Sequence, residues 1–97
     1  MSDYHNKSID NLFKVISEIG SVEECYAFFE DLCTIKEIQD MAQRLETAIL
    51  LNKGENYQNI SAKVGVSSAT ISRVNRCLNY GSGGYKAAIK KITAKEN

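Results

Sequence analysis

Apolar residues recur along this chain at intervals of three and four, and no segment alternates in the manner of a half-buried strand. Ile9, Leu12, Phe13, Ile16 and Ile19 form the first stripe. Ser8 before it is a candidate cap and Gly20 after it a candidate stop, which predicts a helix over 9–19. Ser21-Val22-Glu23-Glu24 has the form of a capping box, in which hydroxyl and carboxylate satisfy each other's orphan amides. It opens a second helix carrying Val22, Cys25, Tyr26, Phe29 and Leu32. Thr34-Ile35-Lys36-Glu37 repeats that form and starts a long third helix. Its predicted inner face is Ile38, Met41, Leu45, Ala48 and Ile49; it runs to about Asn52, and Lys53-Gly54 is its stop. A fourth helix begins near Tyr57 and a fifth near Ser68; after the break Gly81-Ser82-Gly83-Gly84, Tyr85 to Ala94 form a short basic terminal helix. The chain has no proline, so its breaks fall to Gly, Ser and Asn. The expected fold is all-α, about six helices in a single domain over 1–97. Helices over 8–54 serve dimerisation, 55–80 form a helix-turn-helix, and 81–97 hold a glycine hinge and the C-terminal helix.

The stretch from Tyr57 to Arg76 meets, in register, the demands of two short helices crossing steeply over a tight turn. Ile60 and Val64 face the second helix, and Ile71, Val74 and Leu78 answer from it. Ser61 is small where the helices come closest, Gly65 tolerates a left-handed turn, Val66 tucks beneath it, and Ser67 caps the second helix. The N-terminal end of that second helix is the part that enters a major groove, and it carries Ser68, Ala69 and Ser72, side chains short enough for close approach to base edges. Ser67, Thr70, Arg73, Asn75 and Arg76 are candidate phosphate or edge contacts, and Tyr57, Gln58 and Lys63 can grip the backbone from the first helix.

Charge sharpens this reading. The chain of 97 residues is formally neutral, with 12 basic and 12 acidic residues. Eleven of the acids lie in residues 1–56, whereas 57–95 hold Lys63, Arg73, Arg76, Lys86, Lys90, Lys91 and Lys95 with no acid. Such a surface approaches phosphate without repulsion, which makes double-stranded DNA the expected partner. At 43% hydrophobic and 25% charged the chain reads as globular rather than disordered. It has no membrane-length apolar run, and its first twenty residues lack the apolar core of a signal peptide, so a cytoplasmic location is expected. The first three helices carry broad apolar faces, including Phe13, Tyr26, Phe28 and Phe29; a chain this small is expected to cover them by forming a homodimer. Cys25, Cys33 and Cys77 lack metal-ligand spacing and are expected to be buried, reduced thiols. With His5 the single histidine, no catalytic residue, metal site or cofactor is expected.

The segment from Leu32 to Leu78 resembles the Trp repressor superfamily, and the whole chain is similar to its YerC/YecD group. The carrying residues are Asp31-Leu32-Cys33-Thr34, Gln43-Arg44-Leu45, Leu50-Leu51-Asn52-Lys53-Gly54, and Val64-Gly65-Val66-Ser67-Ser68-Ala69-Thr70-Ile71-Ser72-Arg73. The resemblance implies an intertwined homodimer whose two reading heads meet successive major grooves. It also places Arg44 and Arg73 at the positions that hold the tryptophan corepressor in the Trp repressor, with Thr34 near the pocket wall. This chain departs from the pattern at Val74, where the family member has glycine, and at Cys77, where it has serine. An isopropyl group would crowd an indole, and loss of the hydroxyl removes a polar partner. Tryptophan is therefore not the expected effector. Thr34, Arg44, Arg73, Val74 and Cys77 stand as a candidate pocket for some other small molecule. The two arginines equally suit structural ion pairs or phosphate contacts.

Two further readings compete. The glycine-rich run at 81–84 matches no phosphate-loop pattern and reads as a hinge. A helix-turn-helix can also dock a protein instead of DNA, in which case its exposed face should be apolar; the face assigned here is polar and basic.

Overall fold

The computed structural model describes residues 4–96, and the helices among them are α1 (Lys7–Ser17), α2 (Val22–Leu32), α3 (Ile35–Asn52), α4 (Tyr57–Val64), α5 (Ser68–Tyr80) and α6 (Gly84–Glu96). The fold is all-α, as the spacing of apolar residues predicts. No described helix is long and apolar enough to cross a membrane.

Helix starts follow local capping chemistry. Asn6, not Ser8, caps α1: its carboxamide oxygen accepts from the Ile9 amide at 2.9 Å. The end of α1 also differs from expectation. Its last turn tightens through Glu18 N–H to Val15 O and Ile19 N–H to Ile16 O, both 3.1 Å, so the helix closes before Gly20. Gly20 is not among the glycines with positive φ and provides no left-handed stop. Ser21 caps α2 as predicted, accepting from the Glu24 amide at 3.1 Å and donating to Glu24 Oε1 at 3.3 Å.

The C-terminus of α3 is fixed by a Schellman motif. Glu55 N–H donates to Leu50 O at 3.1 Å and Gly54 N–H to Leu51 O at 3.0 Å, with Gly54 left-handed at φ 90°. Asn56 then caps α4, accepting from the Asn59 amide at 2.8 Å.

The chain divides into two compact units, Met1–Ile35 and Lys36–Asn97. The second unit includes α3, whose second half belongs to the helix-turn-helix core. Leu50 packs with Ile60, Val66 and Ile71, while Ala48 packs with Val74, Leu78 and Ile89 of α6. Fully burying aliphatic side chains such as Ile60 and Ile71 contributes roughly 2 kcal/mol each. The predicted inner face of α3 is thus only partly inside. Ala48 is buried, but so are Thr47 and Leu50, which lie outside the stripe, and Met41 is exposed; the helix ends at Asn52 as expected. Thr47 enters the interior because its hydroxyl is satisfied within the helix, donating to Gln43 O at 2.8 Å. Leu45 and Ile49 instead line an open groove of about 650 Å³ together with Ile89 and Ile92 of α6.

In the N-terminal unit neither α1 nor α2 has a buried residue. Ile9, Leu12, Ile16 and Ile19 are half-covered, and Phe13, Val22 and Tyr26 lie open. The cysteines also depart from expectation. Cys25 and Cys77 are exposed and Cys33 is half-buried, because Cys25 lies on a helix without a core face and Cys77 lies outside the Ile71–Val74–Leu78 stripe.

Candidate nucleic-acid interface

The second unit builds a bihelical head from α4, a three-residue turn and α5. Gly65 ends α4 in the left-handed region, φ 85°, with its N–H returned to Ser61 O at 2.9 Å. The Ser61 hydroxyl donates to Val66 O at 2.9 Å, tying the turn to the helix it leaves. Ser61 is exposed, so its role is this hydrogen bond rather than a close helix crossing. Val66 is buried beneath the turn, and Ser67 caps α5, accepting from the Thr70 amide and donating to Thr70 Oγ1, both at 3.2 Å.

Ile71, Val74 and Leu78 are the buried residues of α5. This leaves Ser68, Ala69, Ser72, Arg73 and Arg76 exposed on its other side, all within the first nine residues of the helix. Two of the first-turn amides, those of Ser68 and Ala69, precede the first intrahelical bond, Ile71 N–H to Ser67 O. They lie at the N-terminus of α5, where the helix dipole favours an anion. The head therefore presents short polar side chains and free amides in front, with two guanidinium groups behind them.

Several expected contacts are differently employed. Tyr57 is half-buried and packs on the Leu50–Ile60–Val66–Ile71 cluster, so its ring belongs largely to the core. Gln58 is exposed. Ser67 and Thr70 are occupied by the cap, and Asn75 Oδ1 accepts from Asn79 Nδ2 at 3.0 Å. Lys63 pairs with Glu55, Nζ to Oε2 3.2 Å. Glu55, just ahead of the acid-free stretch, joins the head through this pair, for which the sequence carries no local signal.

Of the residues expected to form an effector pocket, those in the second unit have different surroundings. Arg44 lines a polar cavity of about 310 Å³ with Asp40, Gln43, Val66, Ser67 and Thr70. Val74 is 1% exposed inside the core, and Cys77 lines a separate groove with Leu45 and Tyr85. Thr34 lies exposed in the N-terminal unit, and Arg73 is exposed on α5. Neither the Lys36–Asp40 nor the Lys63–Glu55 ion pair involves Arg44 or Arg73.

Comparison with known proteins agrees with this architecture. The chain is 51% identical over 90 residues to YerC of Bacillus subtilis (strain 168), covering 93% of this chain and 86% of YerC. Its structure is similar to that of a TrpR-like protein from Eubacterium eligens ATCC 27750, with TM-score 0.88, 43% identity and coverage of 91% of each chain. It is likewise similar to a candidate Trp repressor from Staphylococcus aureus, with TM-score 0.88, 40% identity, and coverage of 92% of this chain and 89% of that one. The model of the Trp repressor protein family matches residues 7–93. The chain belongs to the Trp repressor family, within its YerC-like group.

Proposed function

We propose that this protein is a cytoplasmic, sequence-specific DNA-binding regulator of transcription, acting as a homodimer and repressing by occupying an operator. The observation that carries the proposal is the exposed stripe Ser68, Ala69, Ser72, Arg73 and Arg76 on α5, backed by the buried Ile71, Val74 and Leu78. In this reading the small side chains meet base edges through close contact or water, and Arg73, Arg76 and the Ser68 and Ala69 amides take phosphate. Family membership supports the same class of function. The polar, basic character of the stripe favours DNA over a protein partner for this face.

Gel shifts against a random-sequence duplex pool, over a salt series and with rounds of selection, test it. Binding should weaken steeply with salt, and selection should converge on a palindromic site. Ser68→Glu should abolish binding while leaving the circular dichroism spectrum unchanged, because it sets a carboxylate against the groove. Salt-independent binding, or none, would sink the proposal.

A further inference from the structure

We infer that Glu55 sets the strength of nucleic-acid binding by holding Lys63 in a pair that phosphate must break; this rests on the DNA-binding reading above. From Glu55 to Tyr80, Glu55 is the one carboxylate and Lys63, Arg73 and Arg76 are the bases. That single acid sits 3.2 Å from one of the three.

The two partners are unequally held. Glu55 is the C″ residue of the Schellman motif, its amide bonded to Leu50 O, and its side chain is 26% exposed. Lys63 stands in the last turn of α4 with its side chain 56% exposed. The carboxylate is thus the fixed member, while the long ammonium side chain is free to swing. A lysine bound to a carboxylate has little net charge to offer a phosphate. If it turns away, it leaves behind a fixed anion beside the same surface. Either way Glu55 subtracts from the contribution of Lys63. Phosphate contacts carry no sequence information, so the subtraction applies to every duplex equally. Damping this sequence-independent attraction leaves base-edge contacts at α5 with a larger share of the discrimination.

The test is Glu55→Gln, Lys63→Gln and the double variant, titrated against the random-sequence duplex pool by fluorescence anisotropy from low to high salt. Glu55→Gln should bind several-fold tighter at low salt, and its plot of log affinity against log salt should steepen, by up to about 0.9 to the extent that the pair withholds Lys63 from phosphate in the unsubstituted protein. In the Lys63→Gln background the Glu55 change should have no effect. Three outcomes overturn the inference alone. One is an unchanged slope with a lowered melting temperature, which makes the pair merely a staple on α4. Another is weaker binding by Glu55→Gln. The third is the same gain with Lys63 absent, which makes Glu55 a general repulsive charge. Absence of salt-dependent binding by the unsubstituted protein would overturn the DNA-binding reading and this inference together.

Discussion

The Ser61 hydroxyl and the Val66 carbonyl lie 2.9 Å apart, joined by a hydrogen bond that spans the turn between α4 and α5. The turn leaves α4 through Gly65 in the left-handed region, so this bond and the Ser67 cap together set the direction in which α5 departs. Ser61→Ala should lower the free energy of unfolding by about 1 kcal/mol, since the half-buried carbonyl loses its donor. Gly65→Ala should cost about 1–2 kcal/mol for another reason. An added Cβ there meets nothing within 4 Å, so the penalty is purely the positive φ of 85°. Urea titrations of both variants check these values. If Gly65→Ala proved neutral, the left-handed turn would be wrong.

The helix-turn-helix was legible because its constraints are local. Aliphatic spacing on α5, a glycine at the turn and a serine cap all act within a few residues, and the structure places Ile60, Gly65, Val66, Ser67, Ile71, Val74 and Leu78 as that logic requires. Side chains whose roles depend on nonlocal neighbours were not legible. Thr47 reads as polar until its hydroxyl is seen to bond within α3, and Tyr57 reads as a surface contact until the cluster it covers is assembled. Glu55 belongs to the same class, since nothing in its spacing announces a partner eight residues on. The stripe on α3 is legible, but Leu45 and Ile49 are only half-buried and line an open groove, Ile49 also packing on the Ala48–Val74–Leu78–Ile89 cluster.

Val74 decides whether tryptophan can be an effector. It is 1% exposed and packs with Ala48, Leu78 and Ile89, so its isopropyl group fills the interior beneath α5. Isothermal titration with tryptophan should give no binding heat, and tryptophan should leave the gel-shift affinity unchanged. Val74→Gly should not create a site. It should instead destabilise the protein by about 3 kcal/mol, combining lost methyl groups, a cavity and the poor helix propensity of glycine. A measured tryptophan affinity in the micromolar range for the unsubstituted chain would refute this account.

The N-terminal helices supply the argument for a second copy. Phe13 is 54% exposed and Tyr26 62% exposed on helices with no buried residue, and exposed aromatics at that density are costly in water. In the other unit, the groove between α3 and α6 is lined by Leu45, Ile49, Ile89 and Ile92, which gives each copy apolar surface to offer in exchange. Charge fits the same pairing. α1 and α2 carry Asp10, Glu23, Glu24, Glu30 and Asp31 against Lys7 and Lys14, while α6 carries Lys86, Lys90, Lys91 and Lys95 against Glu96. Sedimentation equilibrium should therefore return twice the chain mass of 10.8 kDa for the unsubstituted protein. Phe13→Ser with Tyr26→Ser should shift the population toward monomer. It should also lower the melting temperature in a concentration-dependent way, because folding and association are linked. DNA affinity should fall with it, since one reading head spans only half of a palindromic site. A monomer at micromolar concentration with undiminished thermal stability would show that the aromatic faces of α1 and α2 are satisfied without a partner.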